Sequence, residues 1–228
     1  MKYQNIHYYA IAFLFLVAII PVNSLKAQSE FGVKGGALYT GFNKTNVGSM
    51  FSFEKKNGVE LGMFYKINNL LGPIGLQTEL LYQLKGSNLD IQYSCPTNLE
   101  TGEYNYGRAG YGYSNGKLSP HTTLTQNLHY ISLPVLLTVT PIKFLDIFAG
   151  PQLGYLAGTS GDRIKTSDYE RVSAGITGGV ALKLGINTKL DFRYSRDFTT
   201  SYDMGQTNLK NQNFSISVQQ TLFRKQAK

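Results

Sequence analysis

The residues able to do chemistry are few. Beyond the first 27 positions there are only two histidines, His121 and His129, eight residues apart. Paired with a serine, or with Asp90, Asp162 or Asp197, either could serve a hydrolase or acyltransferase at a membrane rim. No acidic residue stands at a spacing that marks out a triad, and the two histidines match no metal motif. The expectation is a rim histidine hydrogen-bonded to a loop backbone, and no enzyme. "GGALYTG" and "GITGG" fall inside strand-like segments, where glycine admits a bend or close backbone approach, so neither reads as a phosphate loop. No cofactor is expected. Cys95 is the one cysteine, so it has no intrachain partner and is read as an incidental thiol.

Two other constellations remain. "GEYNYGRAGYGYSNGK" (Gly102 to Lys117) places Tyr104, Tyr106, Tyr111 and Tyr113 around Arg108. Tyrosine, arginine, glycine and serine together make adaptable contact surfaces. These residues are the candidate ligand or partner contacts, against the plainer reading of a tyrosine-rich polar loop. The second constellation is a set of charged and amide side chains that alternate with apolar ones: Glu60, Lys66, Gln77, Glu79, Lys183, Asp191 and Arg193. They could line a narrow polar path. An interior only wide enough for side chains favours a packed network of charge pairs instead.

The elements that position these groups repeat with period two. In "GLQTELLYQLKG" (Gly75 to Gly86), Leu76, Thr78, Leu80, Tyr82 and Leu84 share one face, opposite Gln77, Glu79, Gln83 and Lys85. Eight such strands are predicted: 30–42, 58–67, 74–86, 127–140, 144–156, 171–184, 189–198 and 213–223. No long 3.6-residue period competes with them. Connections alternate long and short, with a loop of roughly forty residues (about 86–126) after the third strand. Membrane barrels keep long loops outside and short turns in the periplasm, whereas a soluble barrel has no reason to segregate them. The fold class is therefore all-β, an eight-stranded antiparallel up-and-down transmembrane β-barrel. Leu76, Leu80, Tyr82 and Leu84 should face lipid, and Gln77, Glu79 and Gln83 the lumen. Tyr39, Tyr65, Tyr82, Tyr155 and Tyr194 should anchor the interfaces. Pro134 lies within the fourth strand and should mark a bulge or a missing ladder bond.

The ends of the chain agree. Lys2, the apolar run "IAFLFLVAIIPV" and "SLKAQS" form a secretory signal peptide over residues 1–27, with the barrel domain at 28–228. Loss of Lys2 and Lys26 would lower the formal charge from +8 to +6. For an exported chain that surplus suits lipid headgroups, lipopolysaccharide or an acidic envelope partner, and no nucleic acid. "FSISVQQTLF" ends on Phe223, as suits recognition by the barrel-assembly machinery, although "RKQAK" trails it.

"FGVKGGALYTGF", "LQTELLYQLKG", "YISLPVLL", "FAGPQLGYL" and "LDFRYSRDF" resemble, in order, the strand signatures of the PorT-like outer-membrane β-barrel family of Bacteroidetes. The resemblance spans nearly the whole chain after residue 27. It implies an outer-membrane barrel of about eight strands. The named member of that family is associated with type IX secretion and gliding, which implies an accessory or structural role in an envelope assembly. The alternative is a stand-alone barrel that binds a ligand, glycan or host surface through its long second outer loop, which departs from the shorter loops of the family.

Overall fold

The computed structural model describes residues 28–42, 46–47, 51–92, 112–114, 117–119, 121–161, 169–199, 202–203 and 208–225. Eight long strands form the body: β1 (Gln28–Phe42), β2 (Phe51–Leu71), β3 (Ile74–Gln92), β4 (His121–Ile142), β5 (Leu145–Gly161), β6 (Val172–Lys183), β7 (Thr188–Asp197) and β8 (Asn211–Lys225). Each pairs antiparallel with its sequence neighbours, and β1 also pairs with β8, from Ser29↔Lys225 to Phe42↔Asn211. The ring is therefore closed. Closure leaves no edge, so the backbone groups of a spanning sheet are satisfied without water.

Side-chain parity gives the ring its orientation in lipid. On β2, Val59, Leu61, Met63 and Tyr65 are exposed, while Glu60, Phe64 and Lys66 are buried. On β3, Leu80 and Tyr82 point out and Gln77, Glu79, Gln83 and Lys85 point in. A soluble barrel would show the opposite arrangement. Tyr39 and Phe31 stand eight positions apart on β1, and Val33, Gly35 and Ala37 between them share their outward face. At ~3.3 Å per residue and a tilt of ~40° this is about 20 Å of height, the scale of an outer-membrane apolar band. All five expected interface tyrosines are exposed, from 40% for Tyr82 to 50% for Tyr39.

Short connections close one end of the ring. In the β2–β3 turn, Asn69 and Gly72 adopt φ of 57° and 62°, a left-handed conformation that these two residue types tolerate best. Long connections occupy the other end, and there the strands outrun the expected bounds. The loop expected from Gly86 to Gln126 is shorter at both ends, because β3 continues to Gln92 and β4 begins at His121. Gly86 reads in the sequence as the start of the long loop. It is instead a point of close approach inside the sheet, with φ of 139° and room for no side chain against the Gln126 carbonyl. The first long loop is likewise mostly strand: β2 starts at Phe51 and pairs there with Asn46–Val47. The fifth strand runs on to Gly161. As a result β2 to β5 contain 21, 19, 22 and 17 residues, against 12 and 10 in β6 and β7. About 9–11 residues suffice to cross, so one side of the barrel rises as a wall above the membrane.

Pro134 faces the lumen inside β4. The β3–β4 ladder stops at Thr78↔Val135 and resumes at Leu81↔Ser132 in unchanged register. The proline thus removes ladder bonds without a bulge. Pro151 on β5 accompanies a second gap, between Pro134↔Gln152 and Leu137↔Ala149.

Candidate functional site

The barrel interior contains the densest chemistry. At mid-height, inward positions of β1, β2, β3 and β7 bring Lys34, Glu60, Glu79, Asp191 and Arg193 together, all buried. Arg193 grips Glu79 with two parallel bonds of 2.8 Å, and Nη2 also reaches Asp191 at 3.0 Å. Such a bidentate fork is the strongest common carboxylate contact. Lys34 Nζ lies 3.2 Å from Glu60, 3.4 Å from Asp191 and 3.7 Å from Glu79. Amides and a hydroxyl add further bonds: Gln77 donates to Glu79 at 2.6 Å, Gln83 to Glu60 at 3.0 Å, Gln219 to Asp191 at 2.6 Å, and Ser132 to Gln83 at 2.8 Å. The Arg193 guanidinium also covers the Phe148 ring at 4.9 Å. The network therefore ties together β1, β2, β3, β4, β7 and β8.

Toward the outside, Lys85 sits 3.8 Å from Asp197 and 4.9 Å above the ring of Tyr130. Above this pair the lumen turns apolar. Phe42, Phe53, Leu128, Tyr130 and Leu156 from the strands pack with Tyr169 and Leu209, which lie just before β6 and β8. Tyr169 donates to Gln126 at 2.9 Å. Above the belt, Lys56 donates to Asn127, and burial pulls its ammonium below the ordinary lysine range.

Toward the periplasm a second charged cluster opens. Asp146 accepts from Lys66 at 2.7 Å and Thr140 at 2.6 Å, and lies 3.0 Å from Lys183 and 3.4 Å from Lys189. Glu30 accepts from Lys189 at 3.1 Å and lies 3.1 Å from Arg224. A cavity of about 270 Å³ opens here, lined by Glu30, Thr140, Lys183, Lys189 and Arg224 among others.

The interior residues singled out from the sequence thus divide in two. Glu60, Gln77, Glu79, Asp191 and Arg193 meet at mid-height, whereas Lys183 and Lys66 belong to the mouth. Lys34, Glu30, Asp146 and Lys189 complete the clusters and were not among the residues singled out. Strand parity could have found them: Lys34 alternates with Val33 on β1, and Lys189 shares the face of Asp191 and Arg193.

The rim-histidine expectation is corrected in its partner. Among the described residues His129 meets side chains and no loop backbone: its Nδ1 lies 2.7 Å from Tyr82 Oη and its Nε2 2.9 Å from Ser160 Oγ, on the outward face. Asp197 points inward to Lys85 and is no partner for it. Among the described residues no group of three His, Cys, Asp or Glu could hold a metal. In the tyrosine-rich segment, Tyr113 pairs with Leu118 in a small hairpin of Gly112–Ser114 and Lys117–Ser119. Tyr104, Tyr106, Arg108 and Tyr111 lie outside the described residues, as do Cys95, Asp162 and the 1–27 segment.

The outer-membrane protein beta-barrel domain model matches residues 23–209. The chain belongs to that family. Family membership, with the closed eight-strand ring and its apolar exterior, places the protein in the outer membrane. Among solved structures, this family member is similar to Neisserial surface protein A (NspA), with a TM-score of 0.51 at 13% identity, over 86% of this chain and 99% of that one. The attachment invasion locus protein Ail of Yersinia pestis gives a TM-score of 0.44 at 9% identity, over 87% of this chain and 100% of that one. Comparison with curated proteins returned no match.

Proposed function

We propose that the protein is a non-enzymatic, non-conducting outer-membrane barrel that acts as an accessory or structural component of an envelope or secretion assembly. The observation that carries this reading is the filled interior. The Arg193–Glu79 network crosses the lumen at mid-height, and the Phe42–Leu128–Tyr169 cluster covers it above. Each ion in that network is dehydrated and paired, so a permeating solute would have to break charge pairs that water cannot replace. On this reading the protein works through its surfaces and not through a path along the axis. The ordered PorT-like strand signatures of a Bacteroidetes barrel support membership of an assembly. Its partners on this reading are outer-membrane lipid and lipopolysaccharide, the barrel-assembly machinery during biogenesis, and an envelope protein. Cross-linked pull-down of the tagged protein from native outer membranes tests it: a stoichiometric protein partner is expected, and recovery of lipid alone would refute it.

One observation favours a second reading, a surface-recognition barrel that binds a ligand, glycan or host surface. The β2–β5 wall projects beyond the apolar belt and leads into the segment containing Tyr104, Tyr106, Arg108, Tyr111 and Tyr113. Deletion of Gly102 to Lys117 would abolish surface binding while leaving assembly intact.

A further inference from the structure

The periplasmic mouth has more positive charge than its carboxylates can neutralise. Among the described residues, Lys66, Lys183, Lys189 and Arg224 face Glu30 and Asp146, four cations against two anions, an excess of +2. Both carboxylates are already saturated. Asp146 takes Lys66, Lys183, Lys189 and Thr140, and Glu30 takes Lys189 and Arg224.

Among the described residues, the donors left over are on the cations. An ammonium has three N–H groups and a guanidinium five. Lys183 Nζ has Asp146 for its carboxylate partner, and Arg224 uses Nη2 for both Glu30 and the Ile186 carbonyl at 2.8 Å. These two side chains are also the accessible ones, 27% and 30% exposed against 1% for Lys66 and 6% for Lys189. They flank the 270 Å³ cavity, whose floor is the buried Lys189 and Glu30. Asn68, Asn69 and Gln28 add neutral side chains to its wall.

We propose that this mouth is a receptor for one oxyanion group, a carboxylate or a phosphate, presented from the periplasm. The excess charge sets the sign of the ligand. The cavity volume admits a small group, or the end of a chain, and excludes a folded surface. Glu30, Thr140 and Lys189 are lumen-facing, so the cavity opens along the barrel axis and not sideways into the lipid leaflet. The group comes either from a free oxyanion or from an acidic side chain or terminus of a periplasmic polypeptide. It binds between Lys183 and Arg224, above Lys189, through charge-assisted hydrogen bonds. The site lies at the opposite end of the barrel from the outer wall and needs no assembly partner to be measured.

The test uses the whole protein, purified from outer membranes in zwitterionic detergent, and calorimetric titration with two probes. Inorganic phosphate represents the free oxyanion, acetylated tetraglutamate the polypeptide carboxylate, and acetylated tetraglutamine amide, which has no carboxylate, is the neutral control. Saturable binding of tetraglutamate, displaced by phosphate and absent for tetraglutamine, is expected. Binding of phosphate alone would assign the site to a free oxyanion. Lys183→Met and Arg224→Gln should each weaken binding about tenfold, the scale of one ion-paired hydrogen bond. Lys143→Gln, on the exposed β4–β5 turn outside the cavity, should leave it near wild type. Failure of both probes to bind the wild-type barrel overturns the proposal. So does an effect of Lys143→Gln as large as that of Lys183→Met, which would mark diffuse charge. If either cavity variant fails to fold, competition of the two probes for one site on the wild type still decides.

Discussion

Arg193→Met is the substitution that most directly probes the closed lumen. In the wild type, Lys34 and Arg193 face Glu60, Glu79 and Asp191, a net charge of −1 in a buried cluster. Methionine keeps most of the volume, so the packing against Phe148 changes little while the charge balance falls to −2. Glu79 then loses both of its guanidinium bonds and retains Gln77 and a 3.7 Å lysine. Leaving a buried charge without its partner costs about 3–5 kcal/mol. Glu79→Leu combined with Arg193→Met removes the pair as a unit and returns the balance to −1, with Lys34 facing Glu60 and Asp191. The double variant should recover more than half of the loss. The chain has no tryptophan, so stability is best read from a urea titration in lipid vesicles, with the folded fraction scored by mobility of unboiled samples on gels. An Arg193→Met loss below about 1 kcal/mol, the range of an exposed pair, would refute a tightly packed ionic core. Additive losses in the double variant would refute the pairing itself.

Other outcomes follow from the same geometry. Unboiled protein should migrate apart from boiled protein, and identical mobility would contradict a closed barrel. In planar bilayers the purified protein should produce no stepwise current; discrete steps would show that the interior network and its apolar cover leave a path. Leu61→Arg, on the lipid face between Asn57 and Tyr65, should destabilise the barrel by about 2–4 kcal/mol in vesicles, and a neutral result would remove Leu61 from the membrane midplane. His129→Ala should lower stability by no more than about 1 kcal/mol, because it removes hydrogen bonds from an exposed site. A larger loss would mean that the Tyr82–His129–Ser160 chain holds the outer rim.

Within the lipid belt the sequence was easy to read, because there each strand has one face in hydrocarbon and one against a polar interior. Leu80 and Tyr82 against Glu79 and Gln83 is that rule at work. Above the belt the rule fades. Both faces of "GSNLDIQ" tolerate polar residues, so the sequence pattern ends β3 at Gly86 although its backbone pairing continues to Gln92. The apolar cover was hidden for the converse reason. Leu128 and Tyr130 point inward, yet beside outward Ile131 and Leu133 they read as a strand greasy on both sides. Parity assigns a residue to the interior but not to a height within it. Arg193 and Glu79 meet across 114 positions, and Lys183 is drawn to the mouth by Asp146. Only the register of the closed ring fixes such pairings.

Tyr169 and Leu209 are 6% and 0% exposed, although each belongs to a connection and not to a barrel strand. Each pins the chain just before it re-enters the sheet, so the folding information of the outer end lies in these anchors and in the strands. Such an arrangement ties the outer end of the ring to two buried side chains, while the barrel beneath keeps its own register.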